Sequence, residues 1–169
     1  MLTLEAQSDP FEDLLKFVKA IVAPGANEKR SIEDAIRAGF AENFSNESSG
    51  NNKRWRILAP RTNIDRQRRG FPTVHPILVR TGSYRASFTV AGSANSLVEE
   101  ESSGGEWTLY VGSSDNRHIL EFGGTTIIQG KQVYVPPRPA TILSDQAESN
   151  IASVIERVIA QIEERTLDG

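Results

Sequence analysis

The side chains able to do chemistry in this sequence are few and poorly grouped. It has no cysteine, which removes thiol nucleophiles, disulfide frameworks and cysteine-ligated zinc together. Of its two histidines, His75 lies between Pro72 and Pro76, and His118 precedes an apolar pair. Neither has a carboxylate or nucleophile at a recognisable spacing, so both read as packing or surface residues. Glu99-Glu100-Glu101 could offer oxygens to a cation, but adjacent carboxylates in a polar stretch are more often a solvated run than a ligand set. The serines are numerous without forming a nucleophile elbow. Glu121-Phe122-Gly123-Gly124-Thr125 lacks the Lys-Ser/Thr and the following helix of a phosphate-binding loop, and reads as a turn. No catalytic, cofactor-binding or metal-ligating set emerges, and a non-enzymatic protein is expected.

Charge is more informative. The net charge is −3, yet residues 53–85 hold nine basic side chains against Asp65 alone, and both flanks are acidic. A basic middle of this kind can contact nucleic-acid phosphates, dock on the acidic face of an identical neighbour, or be a solvated loop. Lys53, Arg54, Arg56, Arg61, Arg66, Arg68 and Arg69 are therefore candidates for a subunit interface or a DNA-facing surface. Trp55 sits among them. One aromatic before Phe71 is too few for a base-stacking platform, so Trp55 is expected to anchor this stretch on the core or on a neighbour.

The elements that must position these residues follow from periodicity. Asp9, Pro10 and Glu12 form a helix start, and Phe11, Leu14, Leu15, Val18, Ile21 and Val22 continue it as one stripe until Ala23-Pro24-Gly25. A second helix is expected from Ser31 through Ile32, Ile36 and Phe40 towards Phe44. Polar loops are expected to be mobile near 45–54 and 92–105. Prolines and glycines in the basic segment are expected to break any long regular element. Phe88 and Val90 predict a strand, Trp107-Thr108-Leu109-Tyr110-Val111 alternates as a second, and His118–Phe122 is a shorter candidate. Ile127-Ile128 and Val133-Tyr134-Val135 flank a hairpin turn, and Pro136-Pro137-Arg138-Pro139 ends the sheet. Asp145 and Glu148 then cap a long amphipathic helix carrying Ile151, Val154, Ile155, Val158, Ile159 and Ile162. The expectation is one α+β domain over residues 1–169: an antiparallel β-sheet with N-terminal helices and the C-terminal helix packed on it.

Composition agrees with one domain. The chain has 169 residues, of which 38% are apolar; that supports a globular core while leaving a surface that partners could complete. No run approaches the ~18–20 apolar residues of a membrane span. Met1–Pro10 lacks a basic residue before an apolar run and does not read as a signal peptide. A soluble, cytoplasmically folded protein without membrane contact is expected.

Two ordered blocks resemble a known family. The first runs Trp55-Arg56-Ile57-Leu58-Ala59-Pro60-Arg61-Thr62, then Arg66, Arg68, Arg69 and Gly70, then Ile77-Leu78-Val79-Arg80-Thr81-Gly82-Ser83-Tyr84-Arg85-Ala86-Ser87. The second runs Tyr110-Val111-Gly112-Ser113, then Ile119-Leu120-Glu121-Phe122-Gly123-Gly124-Thr125, closing with Pro137-Arg138-Pro139-Ala140. This order resembles the Mu-like virion morphogenesis proteins of tailed bacteriophages and is similar to the tail-completion group that includes lambda minor tail protein Z. Asn116-Arg117, the added Gly124 and Ala140 depart from the pattern. The resemblance implies a structural virion protein that forms a homo-oligomeric, hexameric ring at the head-proximal end of the tail. It implies a connector or head-closure protein and a tail tube or tail terminator as partners, with double-stranded DNA passing through the lumen. It also implies structural roles for Trp55, Leu58, Pro60, Thr62, Thr81, Gly82, Ser87, Glu121, Phe122, Gly123, Arg138 and Pro139. The other class left open is a nucleic-acid-binding accessory protein using segment 53–85.

Overall fold

The computed structural model describes residues 17–21, 23–50, 53–71, 76–79, 81–115, 117–128 and 130–167. Residues 17–21 are helical (α1); the Asp9-Pro10 helix start lies outside the described residues. Helix α2 spans Ala26–Asn46 and begins before Ser31. The Ser31 hydroxyl donates back to the Asn27 carbonyl at 2.9 Å, so it serves as an interior residue and not as a cap. Ile32, Phe40 and Phe44 form the buried face of α2, which ends where Glu47 turns left-handed at φ 50.

The fold class is α+β, with the β-structure of the described residues divided into three two-stranded antiparallel ladders in place of one sheet. β1 (Ser48–Ser49) pairs with β2 (Lys53–Arg54). β3 (Ser96–Ser103) pairs with β4 (Glu106–Ser113) around Gly104-Gly105, both with positive φ as a tight hairpin turn requires. β5 (Gly124–Ile128) pairs with β6 (Lys131–Val135), the hairpin that periodicity predicts.

Several expectations are corrected. Residues 45 and 46 are the exposed last residues of α2, and 48–50 are packed: Ser48 and Ser49 are buried, and the Gly50 N–H donates to the Ile142 carbonyl at 2.8 Å. Most of 92–105 is the strand β3 and its turn. In the basic segment, Pro60 starts a helix, α3 (Pro60–Arg68), because its missing N–H costs nothing at the first helical position. Phe88 lies in a helix, α4 (Ser83–Thr89), whose Tyr84 and Phe88 are one helical turn apart. Thr81-Gly82 leads into this helix, with Gly82 at its N-cap. His118–Phe122 is the short helix α5.

The C-terminal helix α6 spans Asp145–Leu167. Ser144 caps it, accepting the Ala147 N–H at 3.1 Å, so Asp145 and Glu148 fall in the first turn, where negative charge suits the helix dipole. Val158 and Ile162 pack on Ile32 of α2 and on Trp107 and Leu109 of β4. A larger core joins Phe40, Phe44, Trp55, Ile77, Leu78, Tyr84, Phe88 and Ala140. Its aromatic rings meet edge-on, with Phe44 5.6 Å from Trp55 and Phe40 5.8 Å from Phe88 between centroids. Among the described residues no helix is long and apolar enough to cross a membrane.

Candidate functional site

Three of the residues singled out by the sequence, Trp55, Glu121 and Arg138, converge on one place. After β6 the chain crosses the core as an irregular strap, residues 136–144, before α6 begins. A strap without regular structure leaves backbone groups to be satisfied by other means, and here side chains do it. Glu121 of α5 is buried; its carboxylate accepts the Ala140 N–H at 3.0 Å, the Thr141 N–H at 2.9 Å and the Thr141 hydroxyl at 2.5 Å. It also accepts the Tyr84 hydroxyl at 3.3 Å. Asn43 of α2 donates from one amide nitrogen to the Ala140 and Ile142 carbonyls, each at 2.8 Å. The Trp55 indole donates to the Pro139 carbonyl at 3.3 Å. Arg138 runs the other way, donating from Nε and Nη2 to the Arg56 carbonyl, both at 3.2 Å.

The glycine in the Glu121-Phe122-Gly123 turn is a steric requirement. Gly123 has φ +73, and a Cβ there would lie 2.8 Å from both Cδ and the backbone nitrogen of Pro137. Gly82, at φ +78, occupies the left-handed position before α4. Ser87 is fully buried, donating to the Tyr84 carbonyl at 2.7 Å and accepting from the Ser113 hydroxyl at 2.8 Å. Thr81 and Ser83 share a hydroxyl contact of 2.9 Å. Pro60 begins α3, Leu58 packs on the larger core, and Thr62 is exposed. Phe122 is exposed as well, at 79%.

Beside the strap lies a groove of about 950 Å³. Its walls are the run Arg56–Pro60 with the first turn of α3, and β6 with Pro136; Leu78, Leu120 and Arg138 also line it. Ile57 and Tyr134 expose large apolar surface on these walls, at 82% and 60%. Four arginines line the groove, the exposed Arg56, the half-buried Arg117 and the buried Arg66 and Arg138. The Asp65 carboxylate is also present, ion-paired with Arg69 at 3.0 Å.

The electrostatics of the groove are unbalanced. Burial, reinforced by the Arg66 and Arg56 charges, holds the Arg138 pKa below the ordinary arginine value. Arg117 is ion-paired with Asp115 and lies 4.9 Å over the Tyr84 ring. Hydrogen bonding between the pair lowers the Asp115 pKa and raises that of Arg117. Burial first, and then the Glu121 charge, raise the Tyr84 phenol well above its ordinary value, so it remains a hydrogen-bond donor at neutral pH.

Of the seven candidate surface cations, Lys53 and Arg54 are exposed on β2, Arg56 lines the groove, and Arg61, Arg68 and Arg69 are exposed on and after α3. Arg66 is buried, donating to the Pro76 carbonyl at 3.2 Å. Trp55 is buried against Phe44, the anchoring role expected of it. Sequence reasoning missed Asn43 and Tyr84 as parts of the clamp. The signal for Tyr84 was its four-residue spacing to Phe88; for Asn43 there was none, because its partners lie 97 and 99 residues away. Comparisons with known families, with curated proteins and with solved structures find no match.

Proposed function

We propose that this chain is a structural subunit of a tailed-phage neck or tail, assembling as a ring at the head-proximal end of the tail. In this reading it completes the tail and joins it to the head connector, with DNA passing through the lumen. One observation carries the proposal. The polar residues of the family-like blocks, Glu121, Arg138, Ser87 and Trp55, are all engaged in holding backbone or neighbouring side chains. Their chemistry is thus architectural, and what they shape is a groove with an apolar rim and an excess of positive charge. Exposed apolar residues beside charge are what a subunit presents to a neighbour, and a ring needs two unlike faces on every copy.

The test is morphological. Particles produced without this protein are expected to be separate heads and tails, or tails of irregular end structure, in negative-stain images. Complete, stably joined particles would refute the reading.

A nucleic-acid-binding role is the second reading, favoured by the exposure of Lys53, Arg54, Arg61 and Arg68. It requires affinity for duplex or single strands that falls steeply with salt. The burial of Trp55 removes base stacking by that residue from this reading.

A further inference from the structure

Two surfaces of this chain complement one another and are anchored to different ends of helix α2. The first is the basic groove with its Ile57 and Tyr134 rim. The second is the outer face of the β3–β4 hairpin. Its register sets Glu99 opposite Tyr110, Glu101 opposite Thr108 and Ser103 opposite Glu106, so these side chains share one face of the ladder. The opposite face carries Trp107 and Leu109 onto the α2–α6 core. Glu100, on that inner face, is ion-paired with Lys29. Glu99, Glu101, Glu106 and Tyr110 are exposed, and none of the three carboxylates has an ion-pair partner among the described residues.

Helix α2 keeps the two surfaces apart. The hairpin is tied to Lys29 near the start of α2, and the groove wall is tied through Trp55 to Phe44 near its end. At the helical rise, that interval is about 22 Å along the axis.

We infer that the acidic outer face of the β3–β4 hairpin of one copy docks in the basic groove of the next copy, head to tail. The inference deepens the ring reading by naming the two surfaces that would join. Glu99 and Glu101 would supply carboxylates to the exposed Arg56 guanidinium and to the net positive field of the groove. Tyr110 would cover apolar rim that is otherwise in water. Because the patches are unlike, each copy keeps one free groove and one free hairpin after docking. The contact therefore propagates to a closed ring or an open filament, not to a two-fold dimer.

The test is a charge exchange on the full-length chain, read by sedimentation velocity over a wide protein concentration range at low salt. One variant carries Glu99→Lys, Glu101→Lys and Glu106→Lys; the other carries Arg56→Glu and Thr62→Glu. All five positions are exposed, and unchanged circular dichroism and melting check each variant's fold. The wild type is expected to form oligomers whose apparent affinity drops at least tenfold between about 0.05 M and about 0.5 M salt, as screening shortens. Each variant alone is expected to associate more weakly than the wild type, and their equimolar mixture to regain association, since the second variant's acidic hairpin then meets the first variant's unaltered basic groove. A wild type that is monomeric throughout overturns the inference, as does a mixture no more associated than its components. If the wild type assembles and both variants assemble equally well, this contact is wrong while the ring reading stands. Complete particles without the protein would remove the ring reading, whatever the charge exchange shows.

Discussion

The two ends of helix α2 are held by different physics. Near its start, Ile32 meets Val158 and Ile162 of α6 together with Trp107 and Leu109. That contact is apolar, non-directional and built from regular elements. Near its end, Asn43, Trp55 and Glu121 hold an irregular strap by directed hydrogen bonds. A close-packed apolar contact tolerates modest changes of shape. A buried polar clamp does not, because each partner removed strands a desolvated group on the other side. The difference teaches where specificity resides: one end supplies cohesion, and the other sets the geometry of the groove.

The sharpest way to break the comparison is at Glu121. Replacing it with Ala strands two backbone N–H groups and two hydroxyls, and is expected to cost about 3–5 kcal/mol in urea unfolding. Glu121→Gln, which keeps an acceptor of the same shape, should recover a substantial part of that loss. A loss below about 1 kcal/mol for the Ala variant would show that water replaces the clamp freely. Next in size is Gly123→Ala, expected to cost about 2–3 kcal/mol, from positive φ together with the Pro137 clash. Gly130→Ala is its control: φ is +72 there with open space around it, so only the backbone cost of about 1 kcal/mol applies. The smallest effect belongs to the apolar end, where Ile162→Val should cost about 1 kcal/mol. If Ile162→Val proved as damaging as Glu121→Ala, the division of labour between the ends would fail.

Legibility in the sequence followed the same division. The stripe Val154, Val158 and Ile162 repeats at helical spacing, and α6 lies where that repeat predicts it. The alternation in Trp107–Val111 and the hairpin around Gly130 were equally readable, since period and turn chemistry are local properties. Helix α4 was not read because Phe88 and Val90 alternate like a strand, whereas Tyr84 and Phe88 together fill the aromatic core from one helical face. Helix α3 carries no apolar stripe, so only Pro60 marks it. The loop after α2 looked unanchored because its anchor, the Ile142 carbonyl, is supplied by a distant part of the chain. At the groove, the important residue types were visible in Glu121, Gly123 and Arg138. Their convergence was not, because no local period links residues 43, 55, 121 and 138.

That remoteness has a consequence for the order in which the molecule is built. The bonds that close the groove wall join Asn43 to Ala140, Trp55 to Pro139 and Arg138 to Arg56, across 97, 84 and 82 residues. Contacts between such distant residues pay their loop-closure entropy before they are rewarded, and form late. The β3–β4 hairpin, by contrast, closes across a two-residue turn. A chain emerging from the ribosome therefore closes its β3–β4 turn well before it can complete the groove wall. If the proposed head-to-tail contact holds, a subunit would become able to accept a neighbour only after residues 136–140 have been made and bound in place.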